Sequence, residues 1–266
     1  MSKLIKWSLV AALAGFLFGF DTVVISGADQ KLQELWNSSD IFHGSVVMAM
    51  ALWGTVFGAI FGGIPTRKYG RRNTLIWIGI FYSISAVGSA LANDPITFAV
   101  FRFIGGVGVG VSGIAAPAYI SEIAPAKNRG KLVGFYQFNL VTGILVAFLS
   151  NYLLSGIGEN DWRYMMGVEA IPAILYTLLV FSIPKSPRWL YLNNQKDKAE
   201  KIIRDAYSKN DADELIIEIT RDKESNVESE SIFQKKYSFI LTLAFLVAAF
   251  NPVSYTHLRA HETPIT

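Results

Sequence analysis

The chain reads as a series of apolar runs, each about as long as a bilayer is thick. They fall at about 7–28, 43–65, 73–92, 97–120, 132–154 and 164–183, and another begins at about Tyr237. Runs of about 20 apolar residues cross the hydrocarbon core as helices. The expected fold is therefore all-α and polytopic. Composition agrees, with 52% hydrophobic, 13% aromatic and 17% charged residues, the charges gathered in blocks. The formal charge of +3 is too small to argue for nucleic acid. The absence of cysteine excludes disulfides and thiolate metal sites. His43, His257 and His261 form no ligand cluster, and the sequence offers no nucleophile–base pair, so an enzyme is the weakest reading.

Basic residues alternate from one set of loops to the other. Arg67, Lys68, Arg71 and Arg72 lie between the second and third runs, and Lys127, Arg129 and Lys131 between the fourth and fifth. The opposite loops carry Asp29, Glu34, Asp40, Asp94, Glu159 and Asp161. The positive-inside rule then puts the N-terminus in the cytoplasm. Gly54, Gly58 and Gly62, and again Gly106 and Gly110, recur every four residues. Such spacing lets helix backbones approach closely in lipid, either as a sliding seam or as static packing. GVGVSG at 108–113 matches a dinucleotide fingerprint, but no strand precedes it and it lies within a membrane run.

Charge inside the apolar runs is rarer and more informative. From Phe101 to Ile120 every residue is apolar or small except Arg102. A charge at mid-helix costs roughly 2.5–3.5 kcal/mol, which makes Arg102 a functional candidate unless it snorkels to the nearer surface. Its natural partner is Asp21, inside the first run, and Glu169 is a third ionisable group inside the sixth. Beyond Arg102 the chain is expected to bend at Pro117 and to end in a charged loop holding Glu122 and Arg129.

Several stretches together carry a family likeness: GFLFGFDTVVISGA (15–28), GGIPTRKYGRR (62–72), RFIGGVGVG, PAYISEIAPAKNRGK, DWRY (161–164) and PKSPRWL (184–190). The chain resembles the sugar porters of the major facilitator superfamily, above all the bacterial proton-linked xylose and hexose symporters. The resemblance implies a six-helix N-terminal bundle over 1–184, built of two three-helix repeats, in the bacterial inner membrane. It implies alternating-access transport of a monosaccharide (pentose or hexose) with a proton, and no cofactor or metal. An energy-independent facilitator and a non-transporting membrane sugar sensor remain as alternatives. The positions matching Asp21, Arg102 and Glu169 are associated in that family with proton coupling. Those matching Phe18 and Gln137 would line the sugar site, with Asn139 adding neutral polarity on the fifth run as a further substrate-binding candidate, although a second family glutamine is Ile144 here. Arg71, Arg72, Glu122, Arg129 and Arg188 would form a cytoplasmic gate of salt bridges. Two positions depart from the family: Arg67 stands where an acid or Asn is usual, and Lys185 where Glu is usual.

The segment 185–236 is too polar to span and would lie in the cytoplasm. Ala199, Ile202, Ile203 and Ala206 mark one face of an amphipathic helix, and Asp211 and Glu214 a helix start before Leu215–Ile219. Arg221–Ser231 reads as loop. A truncated seventh span is expected at 237–251. The tail 252–266 reads as non-native, because VSYTHLRAHET (253–263) looks like read-through of a sequencing-library adapter. On this reading the C-terminal half of the transporter is missing.

Overall fold

A computed structural model describes residues 3–224 together with Ser238 and Thr242, and among these residues there is no strand. Contacts divide the chain into Met1–Ile219 and Thr220–Thr266. The described part of the first unit holds six helical stretches long and apolar enough to cross a membrane. These are Lys3–Gly27, Asp40–Phe61, Arg71–Leu91, Pro95–Ile123, Arg129–Leu154 and Asp161–Val180, the first to sixth spans below. In the second unit the described backbone is the last turn of the helix Lys209–Glu224 plus Ser238 and Thr242. The expected seventh span at 237–251 and tail at 252–266 otherwise lie outside the described residues.

Glycine decides which spans touch. On the second span, a Cβ at Gly54 or Gly58 would collide with the Phe103 or Val107 carbonyl of the fourth. In return, Gly106 and Gly110 lie against the Ala51 and Thr55 carbonyls. The first and fifth spans meet the same way, with Gly15 and Gly19 on the Tyr136 and Leu140 carbonyls and Gly143 on that of Phe16. Contact at this distance gives helix pairs their packing attraction in lipid, where no hydrophobic force drives them together. Exchanging spans one to three with four to six turns the one–five pair into the four–two pair, as two three-helix repeats require. The first and fourth spans are central, with 61% of each apolar window buried, against 17% and 22% for the second and fifth.

Two spans are irregular. The sixth breaks into Asp161–Gly167 and Ala170–Val180, leaving Glu169 at the junction. Pro172 has no N–H to offer the Val168 carbonyl, which accepts from Ile171 N at 3.2 Å instead. The second contains a π-helical turn over His43–Met48, a feature frequent at functional sites. The fourth runs unbroken from Pro95 to Ile123 through Pro117. It starts at Asp94, whose Oδ1 accepts from Ile96 N at 3.1 Å and Thr97 N at 2.9 Å. Bonding to Thr97 holds the exposed Asp94 carboxyl below its ordinary range.

Several expected boundaries shift. Glu122 and Arg129 are not in a loop: Glu122 is in the last turn of the fourth span, and Arg129 begins the fifth. Their charges are met by Arg71 and Glu218 at the helix ends. The expected start at Asp211 moves to Lys209, because Ser208 Oγ accepts from Asp211 N and donates to Asp211 Oδ2 at 2.6 Å. Residues 221–224 continue that helix and are not loop. Between the sixth span and residue 219, the helices Pro187–Leu192, Lys196–Ala206 and Lys209–Glu224 bury Trp189, Ala199, Ile203, Ala212 and Ile219 together.

Candidate functional site

The bundle's centre is polar. Arg102 Nη1 donates to Asp21 Oδ1 at 2.5 Å, and Nη2 donates to the Asp21 main-chain carbonyl at 2.9 Å. Asp21, Arg102 and Glu169 are 1%, 2% and 1% exposed. Arg102 therefore does not snorkel. Glu169 faces Asp21 across the same centre. The fourth span can come this near because Gly105 has no side chain; a Cβ there would strike Ser85 and approach Asp21 Oδ1 at 3.4 Å. Asp21 Oδ2, Glu169 Oε1, Arg102 Nε and the hydroxyls of Tyr82, Ser85, Ser89 and Tyr176 are buried without a hydrogen-bond partner. Buried polar atoms left open in this way invite water or a solute.

A route to the pair exists. A cavity of about 340 Å³ opens between the first, second and fourth spans, with Asp21 and Arg102 on its wall. Thr22, Ser26 and Thr55 add hydroxyls, and Gly44, Met48 and Ala49 bring the π-helical turn to its edge.

The expected sugar contacts are not brought together. Gln137 is exposed on the fifth span, while Asn139 is buried and donates its amide to the Phe135 carbonyl at 2.8 Å. Two residues along a helix turn about 200°, so these side chains take opposite faces. Phe18 is half-buried against the apolar core, and Ile144 is half-buried.

At the basic end, Arg71 Nη2 meets Glu122 Oε1 at 2.7 Å, and Ser186 Oγ donates to Glu122 Oε2 at 2.5 Å. Two other proposed gate residues have partners of their own. Arg72 Nη2 donates to the Phe181 carbonyl at 2.8 Å, and Arg129 lies 3.8 Å from Glu218 on the helix Lys209–Glu224. Arg188 is half-buried on Pro187–Leu192. That helix docks through Trp189, whose Nε1 donates to the Arg67 carbonyl at 2.8 Å. The indole packs over Gly70, where φ is +85° and a side chain would be strained as well as obstructed. Tyr207 donates to the Ile123 carbonyl, and burial pushes its phenol up.

The acidic end holds contacts that the sequence did not announce. Lys31 pairs with Asp161, and His43 Nε2 lies 2.7 Å from Asp29 Oδ1. Arg163 donates to the Ala90 carbonyl at 2.8 Å and Asn93 Oδ1 at 3.0 Å, with its guanidinium 4.3 Å from the Trp162 ring. The DWRY motif was the available signal: it sets an acid, an indole and a guanidinium side by side.

This geometry belongs to a known class. The sequence model of the family described as "Sugar (and other) transporter" matches residues 7–256. The D-xylose-proton symporter of Escherichia coli K12 is 37% identical over 234 residues, 76% of this chain and 48% of its own length. The arabinose-proton symporter of Bacillus subtilis 168 is 31% identical over 261 residues, 95% of this chain and 56% of its own. The solved structure of the proton:xylose symporter XylE bound to 6-bromo-6-deoxy-D-glucose superposes with a TM-score of 0.80 at 34% identity, covering 85% of this chain and 54% of that one. The chain belongs to the sugar transporter family of the major facilitator fold, and it is a multi-pass membrane protein. It spans about half the length of these relatives.

Proposed function

We propose that the chain supplies one six-span bundle of a proton-coupled monosaccharide transporter working by alternating access. A second bundle would close the sugar site from the other side. Support comes from relatives named as proton symporters for xylose and arabinose, and from one observation above the rest. The Asp21–Arg102 pair is buried in the centre of the bundle, with Glu169 beside it and a cavity reaching it. Asp21 and Arg102 neutralise each other only while they stay paired. Unpaired charge is expensive at that depth. Proton uptake and the separation of Asp21 from Arg102 are therefore linked, and a conformational change that moves the first span against the fourth would carry the proton with it.

In this scheme Asp21 accepts the proton, Arg102 sets when it does so, and Glu169 modulates both. Gln137, exposed on the face that a second bundle would meet, contacts the sugar. Phe18 and Asn139 support the site from within the core. Arg71, Glu122, Arg72, Arg129 and Arg188 hold the cytoplasmic side shut. The N-terminus and the basic loops then face the cytoplasm, in a bacterial inner membrane. The test is made in a carrier completed by its second bundle and reconstituted in liposomes. Asp21→Asn should abolish proton-driven accumulation and spare sugar exchange down a gradient. Accumulation at the unaltered rate would overturn the assignment.

A further inference from the structure

The basic end carries cations that its own acids do not balance. Among the described residues Arg67, Lys68 and Lys185 take part in no ion pair. They form one patch. Lys68 Nζ sits 5.4 Å from the Tyr69 ring centre and Lys185 Nζ 5.3 Å from that of Trp189, while the Trp189 indole is bonded to the Arg67 carbonyl. Arg67 and Lys68 are exposed.

Next to this patch, a groove of about 260 Å³ runs between the second, third and fourth spans. Its walls are Phe57, Phe61, Tyr69, Trp77 and Phe81, with Val111 between them. Phe57, Phe61 and Trp77 are 49%, 46% and 56% exposed, so the groove is open to the lipid side. The Tyr69 ring belongs to both features, being a wall of the groove and the platform under Lys68.

We propose that this groove and its three cations are a binding site for one anionic phospholipid, with the phosphate on Arg67, Lys68 and Lys185 and an acyl chain between the second and third spans. The chemistry fits in both parts. An arginine fork suits phosphate oxygens, and clustered cations beside a span draw anionic headgroups. Aromatic rings at the end of a span hold the level where headgroup meets chain. A zwitterionic choline lipid would set its own cation against the same three. The site uses none of the residues assigned to sugar or proton, so it stands or falls apart from that reading.

The test is native mass spectrometry of the full chain released from detergent, with phosphatidylglycerol or phosphatidylcholine of matched chains. The anionic lipid should be retained at energies that strip the other. Arg67→Gln, Lys68→Gln and Lys185→Gln should each weaken retention roughly fivefold, while Lys131→Gln should not. Trp77→Ala should weaken retention of the long-chain lipid and leave dihexanoyl phosphatidylglycerol unaffected. Circular dichroism checks that each variant keeps its helix content. Equal retention of the two lipids, or wild-type retention in the triple glutamine variant, would overturn the site. So would a lipid-free dimer, which would put a second copy in the groove.

Discussion

The Arg102 guanidinium holds two oxygens of one residue, the carboxylate and the main-chain carbonyl of Asp21. The first span is thereby fixed to the fourth through backbone as well as side chain. Arg102→Ala should leave a buried carboxylate without its counter-charge, at about 3–5 kcal/mol of folded stability. Neutralising the acid as well, in Asp21→Asn/Arg102→Ala, should recover part of that loss. Chemical unfolding in micelles, followed by circular dichroism, measures both. If the double variant is no more stable than Arg102→Ala, the pair is not the source of the loss.

The glycine seams give a position-specific prediction. Gly106 touches the Ala51 carbonyl, whereas a Cβ on Gly113, in the same span, meets nothing within 4 Å. Gly106→Leu should destabilise the bundle by about 1–3 kcal/mol or prevent its assembly, since backbone cannot give way as a side chain can. Gly113→Leu should be close to neutral. Comparing their melting temperatures in one detergent decides the matter, and equal values would mean that the second and fourth spans do not pack as described.

The six spans were legible because an apolar run of bilayer length has few other uses, and Asp21–Arg102 because charge inside such a run demands a partner. What failed has physical reasons too. Glu122 and Arg129 looked like loop because charge usually marks solvent, yet Arg71 and Glu218 meet them at the helix ends. Asn139 groups with Gln137 on polarity, and a sequence does not show that their offset puts them on opposite faces. Nothing in HGSVVM signals a π-turn, and Lys31 finds Asp161 across 130 residues of chain. Sequence gives the span and the charge; it does not give the rotation of a helix about its axis.

Asp94 makes a pH prediction. Its carboxyl is held below the ordinary range by bonds from Thr97 and Ile96, so the folded state favours the ionised form. Stability from this cap is fully present above the unfolded-state carboxyl pKa and is lost as pH falls through the lower, folded value. Asp94→Ala should therefore melt below the wild type at neutral pH, and the gap should narrow as acid protonates the wild-type cap. Melting temperatures between pH 3 and 7 test it; a gap that widened in acid would show the sign to be wrong.

The last prediction concerns the docked helix Pro187–Leu192. Trp189 joins it to the short helix Gly63–Lys68 after the second span through the Arg67 carbonyl, and Ser186 joins it to the fourth through Glu122. Both contacts meet near Arg71, which also bonds Glu122, so the helix rests on the second, third and fourth spans at once. Losing the indole removes a buried ring and its only donor, whereas losing the Glu122 carboxylate takes the acceptor from Ser186 and the counter-charge from Arg71, which keeps its bond to the Thr66 carbonyl. Trp189→Ala and Glu122→Ala should each loosen the helix and expose Lys196–Arg204 to trypsin, at least tenfold faster than in the wild type. Trp189→Phe, which keeps the ring over Gly70 but not the hydrogen bond, should fall between. Cleavage of all three at the wild-type rate would mean that the helix is held by its own apolar core rather than by the bundle.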